Sequence, residues 1–228
     1  MKHHFGDITV YLFDLLFNAE GVKHFITFRR GGASGSASHD LNLSFNTADS
    51  VPRVLRNRKR LTQAMGIRIE DITTAKQVHG HHVTVLSHGD RGKGARDYAG
   101  ALEATDALVT NLPGLCPMVL VADCVPVLLY DPGKSVIAAI HAGWRGTLSR
   151  ITQRTVQIAE RHFGSAPKEI LAGIGPSIGP CCFNVGPEVV SQAEAALGPE
   201  SGCITRRSST GGHIDLWKAN RDQLLAAG

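Results

Sequence analysis

The sequence predicts an α/β fold, and two observations carry this prediction. Apolar stretches of strand length are continuous rather than alternating, which is typical of strands covered on both faces. These stretches occupy residues 107–109, 118–121, 125–130 and 136–140. An amphipathic helical pattern follows at residues 147–163 and ends at Gly164. Because strands and helices alternate without a clear linker, we predict one α/β domain over residues 1–228.

Local signals assign the remaining elements. We predict further strands at residues 10–17, 24–28, 72–78, 83–86 and 170–174. We predict further helices at residues 50–65, 187–197 and 216–227. Ser50 and Pro52 mark the start of the first of these helices, and Gly66 marks its end. Residues 87–104 are polar and rich in glycine, which predicts an exposed loop.

Composition and charge exclude several classes of protein. The 228 residues are 43% hydrophobic and 19% charged, which excludes an intrinsically disordered chain. The net charge of +4 is small and dispersed, so we expect no nucleic-acid partner. No apolar segment approaches the ~20 residues that span a membrane, so we expect no membrane association. Five cysteines without a regular framework favour reduced thiols and a cytoplasmic location.

Three predicted strand ends carry metal-ligating residue types. His79, Cys124 and His141 each lie next to a turn at such an end, and strand ends converging on one rim are where α/β proteins place their sites. Two histidines and a cysteine form a plausible zinc shell whose fourth position is open, as in catalytic zinc sites. The alternative is two loop histidines and a buried strand cysteine, and spacing alone favours this alternative, because a free cysteine is commonly a small buried apolar residue.

Two glycine-rich segments are candidate ligand sites. Residues 143–146 (GWRG) enter a predicted helix, where free backbone N–H groups and Arg145 could bind an anion; the alternative is a turn with a solvated arginine. Residues 173–182 let the backbone approach a ligand, with Ser177 or Cys181 as hydrogen-bonding groups; the alternative is a rigid connection. A multicopper oxidase needs several His-x-His pairs, and the single pair at residues 79–81 disfavours copper chemistry.

Nine segments, in order, resemble the laccase-domain family, also called polyphenol oxidases or peptidoglycan editing factors. They are RRGGAS at 29–34, LNL at 41–43, NR at 57–58, QVHG at 77–80, TDA at 105–107, ADCVPVL at 122–128, HAGWRG at 141–146, GIGP at 173–176 and DLW at 215–217. The resemblance runs from about residue 24 to the C-terminus, and the ADCVP and HAGWRG segments are highly specific.

This resemblance implies a layered α/β/β/α sandwich with mixed sheets and zinc-dependent purine nucleoside chemistry. The implied reactions are phosphorolysis of adenosine, inosine or methylthioadenosine, and deamination of adenosine, so the expected partners are a nucleoside and phosphate. The oligomeric state is left unassigned. Zinc is favoured over copper as the ion held by His79, Cys124 and His141, and Asp123 is expected to orient a metal ligand. The expected catalytic residues are Asp123 and Cys124, and the expected substrate contacts are Arg29, Asn42, Arg145, Ser177 and Cys181.

Departures from the family pattern affect specificity. Asn184 stands where many relatives have glutamate, which removes a charge near the expected pocket, and Asp40 stands where serine is commoner. The sequence ends at a predicted helix, where relatives usually carry a further strand and an arginine-containing segment, so we expect this domain to be short at its C-terminus.

Three other functions are kept as alternatives. One is a peptidoglycan-precursor editing amidase, with Cys124 as nucleophile and His79 or His141 as base. Another is a non-enzymatic zinc-stabilised binding protein, which predicts a fourth protein ligand. The last is a copper-dependent polyphenol oxidase, which the ligand count disfavours.

Overall fold

The computed structural model describes residues 1–35 and 40–228 and contains strands and helices throughout. The strands are β1 (Lys2–Phe5), β2 (Ile8–Tyr11), β3 (Ile26–Thr27), β4 (Arg30–Ser34), β5 (Ile72–Thr73), β6 (Val83–Val85), β7 (Ala107–Thr110), β8 (Cys116–Pro117), β9 (Val125–Asp131), β10 (Val136–Ala142), β11 (Leu171–Ile174), β12 (Asn184–Val185), β13 (Ile204–Ser208) and β14 (Gly211–Ile214). The α-helices are α1 (Asp14–Phe17), α2 (Val51–Met65), α3 (Trp144–Leu148), α4 (Ile151–Phe163), α5 (Pro187–Leu197) and α6 (Leu216–Ala227).

A five-stranded sheet in the order β11-β9-β10-β7-β6 forms the centre of the fold. Only β6 and β7 pair in parallel, and the other three pairs are antiparallel, so the sheet is mixed. Helix α4 packs Ile151, Val156 and Ala159 against buried side chains of β9 and β10 in the main hydrophobic core. The predicted mixed α/β class is therefore confirmed.

Three smaller sheets surround the centre, in the orders β1-β2-β3, β12-β14-β13 and β5-β8. The predicted strand at 10–17 is wrong in its second half, because β2 ends at Tyr11 and α1 begins at Asp14. A short apolar run does not distinguish a strand from a helix turn. Strands β13 and β14 were not predicted, because β13 is largely polar and exposed and shows no apolar run.

The helix predicted at 147–163 is two helices. Helix α3 ends at Leu148, and Arg150, with φ at 62°, interrupts the backbone before α4. Two side chains of α6 explain the break: Gln223 donates to the carbonyl of Thr147 at 2.8 Å, and Asn220 donates to the Thr147 hydroxyl at 3.0 Å. The helix predicted at 50–65 is confirmed as α2, and Gly66 ends it in the left-handed conformation.

The 87–104 loop is largely exposed, as predicted, and is held to the rest of the protein at several points, one of which is a buried arginine. Arg58, which is 1% exposed, donates hydrogen bonds to the carbonyls of Gly94 and Ala95. Gly94 has a φ of 67°, and a side chain there would collide with Thr74. Within the residues that the structure describes, no helix is long and apolar enough to cross a membrane.

Candidate metal centre

The sheet brings the three candidate metal ligands together. His141 lies in β10 opposite Pro126 of β9, and Cys124 directly precedes β9, so the antiparallel register places both at one end of the sheet. His79 reaches the same point from the loop between β5 and β6. One ligand atom from each residue lies within 4.8 Å of the others, and the rings of His79 and His141 meet edge to face with centroids 4.7 Å apart.

A buried carboxylate, Asp106, organises this centre. It accepts a hydrogen bond from His141 Nδ1 at 2.8 Å, which leaves Nε2 of that ring for a metal ion. It also accepts the backbone N–H groups of Val78, His79 and Gly80 at 3.3, 3.0 and 2.8 Å. One side chain therefore orients one ligand and holds the loop that carries another.

The residue that makes this contact differs from the one expected. Asp123 was expected to orient a metal ligand, but its side chain is exposed and accepts no hydrogen bond from the described residues. Asp106 was noted in the TDA segment without a role. A charged residue directly before a buried strand is the signal that could have identified it, because a carboxylate buried there needs hydrogen-bond donors.

The charges at the centre favour one neutral and one protonated imidazole. Burial, and then the nearby His141, lower the pKa of His79. Burial also lowers the pKa of His141, but the contacts with Asp106 and Cys124 outweigh it and raise that pKa to about 9. Burial raises the pKa of Asp106, yet the hydrogen bonds from His141 and Gly80 bring it below its usual value. Metal binding through Nε2 of His141 must therefore displace the proton of that nitrogen.

Two glycines of the GWRG segment allow close approach. A side-chain carbon on Gly143 would lie 3.1 Å from His79 Cδ2 and 3.2 Å from Cys124 Sγ. A side-chain carbon on Gly146 would lie 2.6 Å from the carbonyl oxygen of Gly80. Gly143 thus lies directly against two of the candidate ligands and Gly146 against the backbone of Gly80, so a side chain at either position would displace these neighbours.

The donor set suits a zinc ion. Two imidazole nitrogens and a thiolate are zinc ligands, at bond lengths of about 2.0 to 2.3 Å. Ligand atoms around a tetrahedral ion with these bonds lie roughly 3.3 to 3.8 Å apart, so the widest gap must close by no more than about 1.5 Å. Among the described residues, this is the one group of three or more histidine, cysteine or acidic side chains placed to share an ion.

Arg145 lies beside the centre but not at the start of a long helix. The anion site was expected at the N-terminus of a helix at 147–163, whereas α3 has five residues and supplies too short a row of peptide dipoles. Arg145 is exposed, and its guanidinium stacks on the Trp144 ring at 4.3 Å. Its charge contributes to the lowered pKa of His79, so it can still attract an anion near the metal ligands.

The 173–182 loop borders the centre through a backbone contact. Ile178 donates its N–H to the carbonyl of Asp123 at 2.9 Å, directly before the candidate ligand Cys124. The Ser177 hydroxyl accepts a hydrogen bond from Trp217 Nε1 at 2.6 Å, so it is already engaged. Cys181 is exposed. Their roles as substrate contacts stay predictions.

Arg29, Asn42, Asp123 and Ser177 line one cleft of about 1090 Å³, which runs along the face of the central sheet opposite α4. Arg29 forms a bidentate ion pair with Asp40, with both distances at 2.9 Å. The Asn42 amide is used within its own loop, where it donates to Ser44, Thr47 and Asp49. These two side chains bond to neighbouring residues in the loops that line the cleft. Their substrate contacts stay predictions.

The fold and this centre define an α/β protein with a three-ligand His/Cys/His site. Residues 23–228 match the family described as multi-copper polyphenol oxidoreductase laccase, and the chain belongs to that family. It is 37% identical over 204 residues to the purine nucleoside phosphorylase YlmD of Geobacillus stearothermophilus, covering 89% of this chain and 74% of the relative.

Further relatives agree with this assignment. The chain is 38% identical over 216 residues to the adenosine deaminase RL5 of an unknown prokaryotic organism, covering 94% of this chain and 82% of the relative. The crystal structure of the Bacillus licheniformis hypothetical protein YfiH superposes with a TM-score of 0.86 at 33% identity, covering 97% of this chain and 78% of that one. The chain is therefore an enzyme of this family.

Proposed function

We propose that this protein is a zinc-dependent purine nucleoside enzyme of the cytoplasm that phosphorolyses purine nucleosides and deaminates adenosine. One observation carries the proposal: His79, Cys124 and His141 converge within 4.8 Å, and His79 is exposed, so an ion held there is accessible to a substrate. The names of the relatives, a purine nucleoside phosphorylase and an adenosine deaminase, support the substrate class. The five free thiols support the location.

Zinc at this centre would act as a Lewis acid toward a substrate oxygen or water. The protein's own groups supply orientation and charge. Asp106 fixes the tautomer of His141 by accepting the Nδ1 proton, and it holds the backbone on both sides of His79. Gly143 and Gly146 have no side chains, which leaves room for the neighbouring His79 and Cys124 and for the carbonyl of Gly80. Arg145 supplies the positive charge for the phosphate.

Product analysis tests the proposal. Zinc-loaded protein is incubated with adenosine, with and without phosphate, and the products are separated by chromatography. We expect adenine and ribose 1-phosphate only when phosphate is present, and inosine in both conditions. His141→Ala should lose zinc and both activities, while His162→Ala, an exposed histidine of α4, should keep both. Full activity in His141→Ala would show that this site takes no part in the reaction.

Arg145→Met separates the two reactions. If Arg145 binds phosphate, its loss raises the KM for phosphate and leaves the rate of inosine formation nearly unchanged. Arg161→Met is the matched control, because that exposed arginine lies on α4 and donates to the carbonyl of Gln157, within its own helix. Equal losses of both reactions in Arg145→Met would assign Arg145 to the nucleoside rather than to phosphate.

A second candidate function rests on the contact between Cys124 and His141. This contact helps to raise the His141 pKa, and a cysteine beside a histidine is the arrangement of a thiol nucleophile and its base. An amidase acting on a cell-wall precursor would use that pair without metal. Activity toward such an amide that survives chelation and is lost in Cys124→Ser would favour the amidase over the nucleoside enzyme.

A further inference from the structure

The turn at residues 179–182 carries two adjacent cysteines. Cys181 and Cys182 are both exposed, and their sulfur atoms lie 3.2 Å apart in hydrogen-bonding contact. The N–H groups of Cys182 and Phe183 both donate to the carbonyl of Gly179 at 3.0 Å, which holds the turn closed. The two thiols are therefore accessible and already face each other.

We propose that Cys181 and Cys182 form a thiol-modification site, at which a low-molecular-weight disulfide converts the adjacent thiols into a disulfide. One protein thiolate attacks the small disulfide, breaks its S–S bond and releases one small thiolate. The neighbouring thiolate then attacks the protein sulfur of this mixed disulfide and releases the second small thiolate. The protein loses two protons and two electrons, and the small disulfide is reduced to two thiols.

The other cysteines are less suited to this exchange. Cys203 is 1% exposed, and burial raises its pKa. Burial also raises the pKa of the Cys116 thiol, to about 11. Cys124 belongs to the metal centre. The hydrogen bond with Cys181 also raises the pKa of the Cys182 thiol, so exposure rather than thiolate character makes the pair in the turn the favoured target in the folded protein.

The disulfide formed here should be easily reduced. Adjacent Cα atoms lie about 3.8 Å apart across a trans peptide, below the roughly 4.4 to 6.8 Å that disulfides favour. A strained disulfide has a more oxidising potential than a structural one. The site therefore suits reversible modification rather than a permanent cross-link.

The turn is joined to the metal centre by contacts that a disulfide between Cys181 and Cys182 would disturb. Ile178, three residues before Cys181, donates to the carbonyl of Asp123, and Asp123 directly precedes Cys124. A side-chain carbon on Gly179 would lie 3.0 Å from the Trp217 ring, so the turn packs closely on α6. Drawing the two sulfur atoms together shifts this turn, and we expect it to lower the activity; this step rests on the proposed function.

Peptide mass spectrometry tests the modification itself. Zinc-loaded protein is treated with glutathione disulfide, alkylated and digested. We expect the peptide with Cys181 and Cys182 to lose two hydrogens and to resist alkylation until it is reduced. Cys182→Ser should instead retain glutathione on Cys181, and Cys203→Ser should behave as the unaltered protein. A stable glutathione adduct on the unaltered pair, or no reaction there, overturns the proposal.

Activity measured on the same samples tests the link to the centre. We expect a several-fold loss of nucleoside turnover on oxidation, full recovery on reduction, and no such loss when the double variant Cys181→Ser/Cys182→Ser is treated in the same way. An equal loss on treatment of the double variant assigns the effect to Cys124 and overturns the link. A disulfide that leaves turnover unchanged also overturns the link but not the modification site. Reduced, zinc-loaded protein without any nucleoside activity contradicts the proposed function, and the mass result is unaffected.

Discussion

Asp106 and His141 form the buried contact on which the candidate metal centre depends. The carboxylate accepts the Nδ1 proton of the ring at 2.8 Å, and both side chains are almost completely buried. The same carboxylate receives three backbone N–H groups from residues 78–80. The geometry of two of the three candidate ligands therefore depends on a residue outside the candidate ligand set.

Asp106→Asn should weaken zinc binding. The amide keeps one oxygen as an acceptor but replaces the other with an NH₂ group. That group faces N–H donors and cannot accept from them, so the 78–80 loop and the His141 ring lose their alignment. We expect a loss of about 10- to 100-fold in zinc affinity, measured by competition with a chromophoric chelator. Asp97→Asn, which alters an exposed aspartate that accepts from Gly100, should change nothing. Circular dichroism identifies the alternative outcome, in which the variant is unfolded.

Gly143→Ala should damage the centre without unfolding the protein. Gly143 has φ at −66°, which alanine adopts freely, so the cost is confined to the contacts with His79 and Cys124. We expect zinc affinity and turnover to fall by about tenfold or more, with little change in melting temperature. Gly89→Ala is the matched control, since the nearest atom to its new carbon is 3.7 Å away. Unchanged turnover in Gly143→Ala would place the metal ligands further from residue 143.

Arg58→Met should destabilise the fold. The buried guanidinium donates to the carbonyls of Leu43, Gly94 and Ala95, and methionine leaves these acceptors without that donor. We expect a loss of about 3 kcal/mol or more in the free energy of unfolding, measured by urea denaturation. Arg56→Met, on the exposed face of the same helix, should cost less than about 0.5 kcal/mol. A small loss for Arg58→Met would mean that water replaces the lost donor.

Asp71 should contribute to stability at neutral pH and lose that contribution in acid. The hydrogen bond from Arg68 lowers its pKa to about 2, with burial acting against it and Arg91 adding to it. The unfolded value is about 3.9, so the contribution is complete above that pH and is lost as the pH falls toward 2.

Asp71→Asn measures this contribution. We expect it to lower the free energy of unfolding by about 1 to 2 kcal/mol at pH 7, a modest figure because both arginines are partly exposed. The difference from the unaltered protein should shrink as the pH falls from 4 toward 2. Glu103→Gln, which breaks an exposed pair with Lys76, should have little effect at any pH. A difference that stays constant with pH would show that packing, not charge, causes the loss.

Local patterns were sufficient for much of the fold. The helices at 187–197 and 216–227 and the strands around 107–109, 125–130 and 136–140 appear where the patterns predicted them, because amphipathic and continuous apolar runs report burial directly. The break between α3 and α4 could not be predicted, because it depends on Asn220 and Gln223, which are about 70 residues away in sequence.

The sequence by itself determined the mixed α/β class, the family and the residue types of the candidate metal site, because motifs and periodicity are local properties. Only the tertiary structure decided that Asp106 rather than Asp123 orients His141, and that Arg29 is paired with Asp40. It also decided that the sulfur atoms of Cys181 and Cys182 face each other. Such contacts depend on strand register and on the course of loops, which the packing of distant segments sets.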